Sequence, residues 1–179
     1  FTCLLLSELF IFFYTRQRDS CTQTAKRDHG TKWLLYGNFA FCLLVSICSV
    51  SQTAPTLLRQ MVFPPFVADI GTAFTAAGIT IRLSAVLTLK KAFTLHVQTA
   101  AGQHLVRTGL YHAVRHPAYS GSILSLLGVA LTFRNIVAVC IVLFCCLICY
   151  SARIRVEEKA LLAQFGAEYE GYKRSTHRL

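Results

Sequence analysis

The chain has 179 residues, of which 54% are hydrophobic and 15% charged, and a formal net charge of +10. With a mean hydropathy of +0.51 it is too apolar for a soluble domain of this size, so the composition predicts an integral membrane protein. The basic residues lie between apolar blocks, which assigns them to lipid headgroups and topology and excludes a nucleic-acid partner.

The chain opens on Phe1, and its first apolar run, residues 1–14, is short for a span of about 20 residues, which predicts further residues ahead of it. It is not read as a signal peptide, since a basic stretch follows with no small-residue cleavage pattern. Residues 16–32 form a polar loop. A second apolar segment, 33–50, opens with Trp33 and Tyr36 at the interface. Pro55, Pro64 and Pro65 make 52–65 a broken connection. A third segment, 66–89, is rich in Ala, Gly and Thr, which let helices approach closely. It carries Arg82, which must face protein or snorkel toward Lys90 and Lys91.

A fourth segment, 119–133, and a fifth, 136–151, are separated by Arg134-Asn135 alone, so they form an antiparallel helical hairpin. Cys42, Cys48, Cys140, Cys145, Cys146 and Cys149 lie in apolar runs, without the polar surroundings of a metal or redox site, and are read as structural, buried thiols. No metal is expected.

Loop 16–32 holds five Lys/Arg, 90–118 four and 153–179 six, while Arg59 and Arg134 stand alone on the other face. Fifteen against two places the basic segments in the cytoplasm and the N-terminus outside, with five spans.

Residues 104–121, HLVRTGLYHAVRHPAYSG, carry three histidines, two arginines and two tyrosines between apolar blocks. Gly109 suits a tight turn and Pro117 the first position of a helix. A helix start favours an anionic ligand group, and His116 and Tyr119 flank it. The stretch reads as a polar pocket wall at the membrane surface. The plainer reading is an interfacial loop that anchors the next helix.

In the tail, Leu161, Phe165, Tyr169 and Tyr172 recur every three or four residues, one face of an amphipathic helix, continuous with segment five or hinged near Gly166. Docked on the 104–121 wall, that helix would bury the stripe. The hairpin carries Glu157 and Glu158 toward His116 and Tyr119. A basic wall facing carboxylates makes a bipolar pocket fit for a zwitterion.

These residues, His104-x-Val106, Gly109-x-Tyr111, Arg115-His116-Pro117-x-Tyr119, Gly121, then Arg153-x-x-x-Glu157-Glu158 and Phe165-Gly166-x-x-Tyr169-x-x-Tyr172, resemble the isoprenylcysteine carboxyl methyltransferase family. Its relatives include the phospholipid N-methyltransferases. Residues 27–31 and Arg82 are weaker family positions, and Leu110 stands where the family usually has proline. The resemblance implies one all-α integral membrane domain over 1–179. Three helices lie within 1–89, and a cofactor-binding and catalytic part spans 102–179. It implies a cytoplasmic pocket for S-adenosylmethionine, closed by the C-terminal helix. A lateral opening would admit a lipid-attached or hydrophobic acceptor from the bilayer.

By the same resemblance the cofactor contacts are His104, Leu105, Val106, Tyr111, His116, Pro117, Tyr119, Glu157 and Glu158. Arg153, Glu157 and Glu158 would stand nearest the transferred methyl. Carboxylate or thiol methylation is the leading expectation. Aminophospholipid N-methylation and non-enzymatic binding of anionic lipid are the alternatives, and a membrane reductase with a similar tail is a further one.

Overall fold

The computed structural model describes residues 4–7, 10–11, 31–50, 60–89 and 105–179. Its elements are α1 (Thr31–Cys48), α2 (Phe66–Leu89), a 3-10 turn (Gly109–His112), α3 (Pro117–Thr132), α4 (Ile136–Phe165) and α5 (Ala167–Ser175). The described residues contain no strand, only isolated bridges between 62 and 135 and between 114 and 177. His104, the polar loop up to residue 30 and residues 90–103 lie outside the described residues.

α2 matches the predicted third segment in both bounds. It packs antiparallel on α3 through four glycines. A Cβ on Gly78 would stand 2.6 Å from the Gly121 carbonyl oxygen, and one on Gly121 2.7 Å from that of Gly78. Two turns away, a Cβ on Gly71 or Gly128 would stand 2.6 Å from the other's carbonyl. The two backbones touch, which only glycine permits. Hydroxyls on α2 cost little in lipid, because they donate to their own helix: Thr75 to Gly71 O at 2.9 Å and Thr80 to Ala76 O at 2.9 Å.

The α3–α4 connection is the tight turn expected. Arg134 has φ 61°, and Asn135 caps α4 by accepting from Ala138 N at 2.9 Å. The turn is also tied to the segment before α2, since Phe63 O accepts from Arg134 Nε and Nη2 at 2.9 and 2.7 Å. The main core lies where α1, α3 and α4 meet, with Cys42, Leu43, Leu126, Val129, Ala130, Val142, Cys146 and Tyr150 buried together.

The tail helix is continuous with the fifth segment and turns at Gly166, as expected: α4 runs unbroken for 30 residues to Phe165, about 45 Å at helical rise. The charged stretch 153–159 has no helix breaker, so the lipid-facing helix simply continues into water. The expectation of buried thiols needs correction: of the six described thiols, all free, Cys42 and Cys146 are buried, whereas Cys48 and Cys140 face outward. A cysteine is apolar enough to face lipid as well as core.

α2 and α4 are long and apolar enough to cross a membrane, and α1 and α3 are shorter apolar helices. Their outer surfaces are apolar: Trp33, Leu44, Phe66, Leu87, Phe144 and Ile148 are each at least half exposed. Such a belt belongs in lipid.

Candidate active site

The site forms where the start of α3 meets the middle of α4. His116, the residue before α3, has φ −125° and makes no side-chain cap bond, and Pro117 starts the helix behind it. Its imidazole is therefore free to face α4. There Glu157 Oε2 lies 3.7 Å from Nδ1, and Glu158 Oε1 lies 3.5 Å from Nε2. The ring is 3% exposed and stacks with Tyr119 at 5.8 Å between centroids. Tyr119 in turn meets Tyr150 at 5.5 Å. Arg153, only 2% exposed, donates from Nε to the Tyr119 hydroxyl at 3.3 Å. Positions 150, 153 and 157 recur at helical spacing, so one face of α4 presents Tyr150, Arg153 and Glu157 to α3.

Two buried atoms here have no hydrogen bond, His116 Nε2 and Glu157 Oε2. Glu158 is otherwise engaged. Its Oε1 takes Arg115 Nε at 3.4 Å and its Oε2 takes Arg178 Nη2 at 3.2 Å. The two adjacent glutamates thus differ. Glu158 ties three chain segments together, while Glu157, 31% exposed at its side chain, keeps an oxygen for another partner.

The remaining expected residues surround this centre. Gly109 takes φ 60° as the turn requires. That turn buries Tyr111 with Ala85 and Ala118, and Val106 packs against the same cluster. Leu105 is half-buried, and Pro117 is buried at the helix start. Burial, then the nearby Glu157 carboxylate, pushes the Tyr111 hydroxyl up. Pairing by direct contact therefore joins His116, Tyr119, Arg153, Glu157 and Glu158, with Tyr111 beside them.

α5 folds back over the wall after Gly166, whose φ of 49° and ψ of −123° suit glycine alone. The predicted stripe is buried most deeply at Tyr169 and Tyr172. The Tyr172 hydroxyl donates to Tyr111 O at 2.6 Å, and Arg107 pairs with Glu168 at 2.9 Å and lies over the Tyr172 ring. Arg115 reaches the carbonyls of Lys173 and Thr176. His177 accepts from Arg115 N at 2.8 Å and donates to Ala113 O at 2.9 Å. The structural roles of Arg115 and Arg178 were missed in the sequence. Arg115 had a signal, standing beside His116 in the motif; Arg178 had none.

The sequence profile of the isoprenylcysteine carboxyl methyltransferase (ICMT) family matches residues 71–163. That window takes in α2 from Gly71 onward and stops short of α5, whereas the motif resemblance ran from residue 102 to the end. A probable protein-S-isoprenylcysteine O-methyltransferase of Oryza sativa subsp. japonica is 30% identical over 170 residues, 83% of this chain and 87% of that protein. The protein-S-isoprenylcysteine O-methyltransferase of Saccharomyces cerevisiae is 44% identical over 69 residues, 38% of this chain and 29% of that one. In three dimensions the chain resembles the eukaryotic intramembrane Ras methyltransferase ICMT, with a TM-score of 0.66 and 22% identity. The match covers 80% of this chain and 50% of that one, so the chain spans half the length of that structure, and it speaks for the fold alone. With its profile matched over more than half the chain and a relative aligned along most of its length, this protein belongs to the isoprenylcysteine carboxyl methyltransferase family of membrane methyltransferases.

Proposed function

We propose that the chain is a multi-pass membrane enzyme that methylates the carboxylate of an isoprenylated cysteine, with S-adenosylmethionine as donor. The reading takes residues 1–179 as one domain of five spans with the site on the cytoplasmic side. The observation that carries it is the pair of buried, unbonded atoms, His116 Nε2 and Glu157 Oε2, beside the buried guanidinium of Arg153. A zwitterionic donor suits such a pair: the Glu157 carboxylate holds an ammonium, and the imidazole faces a second polar group.

When bound, the donor supplies an electrophilic methyl group on a sulfonium. The chain does the rest by placement. His116, Tyr119 and Glu157 would hold the donor's polar end, flanked by His104, Leu105, Val106, Tyr111 and Pro117. Glu158 fixes the imidazole and its neighbours. A carboxylate acceptor needs no base, but it needs a cation to orient it, and Arg153 offers a planar fork. Tyr119 keeps that fork in place through its contact with Nε. α5 covers the wall and keeps water from the reacting groups.

The test is calorimetric titration of the detergent-solubilised chain with S-adenosylmethionine and S-adenosylhomocysteine, followed by turnover with a farnesylated cysteine. Micromolar binding and a base-labile methyl ester are expected. Absence of binding by folded protein would refute the donor assignment. Methylation of an aminophospholipid but not of the cysteine would refute the acceptor.

A further inference from the structure

Behind α4, away from Arg153 and Glu157, lies a cleft of about 410 Å³ between the last turns of α4 and α5. Arg155, Lys159 and Leu162 line it from α4, and Lys173 and Arg174 from α5. Positions 155, 159 and 162 recur at helical spacing and point roughly opposite to 150, 153 and 157. The cleft is thus a second feature of α4, sharing only Glu158 with the site already described.

Its charge is lopsided. Four cations face two carboxylates, Glu158 and Glu170, and Glu158 is already held by Arg115 and Arg178. Tyr169 also lines it. That residue is 1% exposed, yet its hydroxyl has no hydrogen-bond partner. A buried hydroxyl without a partner is costly unless a ligand completes it. Four cations and a hydroxyl donor together are the donor set for a phosphate.

The position of the cleft points to the source of that phosphate. Phe144 and Ile148 lie on the same face of α4 as Arg155 and are 65% and 53% exposed, so the lipid-facing stripe runs straight up into the cleft. Arg155 stands seven residues past Ile148, about 10 Å at helical rise, the distance from acyl chain to headgroup. We infer that this cleft binds the phosphate of an anionic membrane lipid whose acyl chains lie along Phe144 and Ile148. This site is separate from the proposed reaction, and Lys159 and Arg174 take no part in that reaction.

The experiment is native mass spectrometry of the full chain in neutral detergent, titrated with dioleoylphosphatidylglycerol or dioleoylphosphatidylcholine. One phosphatidylglycerol retained in preference to phosphatidylcholine is expected. Lys159→Gln with Arg174→Gln should weaken retention about thirtyfold. Tyr169→Phe, which keeps the ring, should weaken it about fivefold. S-adenosylhomocysteine affinity, measured by calorimetry, should be unchanged in Lys159→Gln with Arg174→Gln, which separates this site from the donor pocket. Undiminished retention in both variants, or equal retention of phosphatidylcholine, would overturn the inference. So would displacement of the lipid by S-adenosylhomocysteine, which would make the cleft part of the donor pocket. Binding of inorganic phosphate by a chain that retains no lipid would overturn the lipid source.

Discussion

Glu157 and Glu158 are neighbours in sequence and stand beside the two nitrogens of one imidazole, at 3.7 Å from Nδ1 and 3.5 Å from Nε2 of His116. Consecutive helical residues diverge by about 100°, yet both carboxylates come within 4 Å of this single ring. Their other partners differ, and so should the effects of replacing them. Glu157→Gln keeps size and polarity but removes the charge from an oxygen that no protein donor uses. S-adenosylhomocysteine affinity is expected to fall about tenfold or more, with thermal stability little changed. Glu158→Gln breaks a tie to Arg115 and Arg178, with its side chain 13% exposed. A loss of about 3 kcal/mol is expected, seen in thermal unfolding of the solubilised protein. Equal behaviour of the two variants would refute the division of labour.

Arg153 is buried against Tyr119 rather than extended into water. For Arg153→Lys, kcat/KM should drop about a hundredfold, equivalent to about 2.7 kcal/mol, with donor affinity near normal. Lysine keeps the charge but loses the planar fork. Tyr119→Phe should lower kcat/KM in the same direction but less. Steady-state kinetics beside calorimetry distinguishes these outcomes from a failure to bind donor.

The four glycines between α2 and α3 give a prediction about folding. Gly78→Ala or Gly121→Ala places a methyl against backbone that cannot move aside. A cost of about 1–3 kcal/mol each is expected. Gly37→Ala meets nothing within 4 Å and is the control. Thermal unfolding in a mild detergent compares the three.

Tyr111, Tyr169 and Tyr172 predict behaviour in alkali. Burial pushes all three hydroxyls above their ordinary 10.0. In the unfolded chain they ionise near 10.0, while the folded chain holds them neutral. The stability this gives is fully present below pH 10 and is lost as pH rises beyond it. Tyrosinate absorbance should therefore rise late, together with loss of helicity, since Tyr172 fastens α5 to the Tyr111 carbonyl. Early, independent titration of all seven tyrosines would contradict the packing of α5.

Much of this was legible because apolar runs have sharp edges. α2 begins where Pro64 and Pro65 end the preceding connection, and α3 begins on Pro117. The two-residue turn at Arg134 forces α3 and α4 alongside each other, and that alone carries Glu157 and Glu158 to His116. What escaped has no local pattern. Isolated bridges such as that between Val114 and His177 have no periodicity, and the Arg178 contact with Glu158 depends on how α5 turns at Gly166. The continuity of the fifth segment with the tail was legible, because a change from apolar to charged residues marks the water boundary and leaves the helix intact.

That unbroken helix has a consequence for which acceptors can react. Arg153 lies seventeen residues from Ile136, about 26 Å at helical rise, with no joint between them. The guanidinium cannot rise or sink independently of the part of α4 that lies in lipid. It works as a fixed depth mark on a rigid post. With Arg153 holding the acceptor as proposed, an acceptor anchored in the same leaflet would be selected by the height at which its tether presents the carboxylate, so spacer length should matter as much as chemistry.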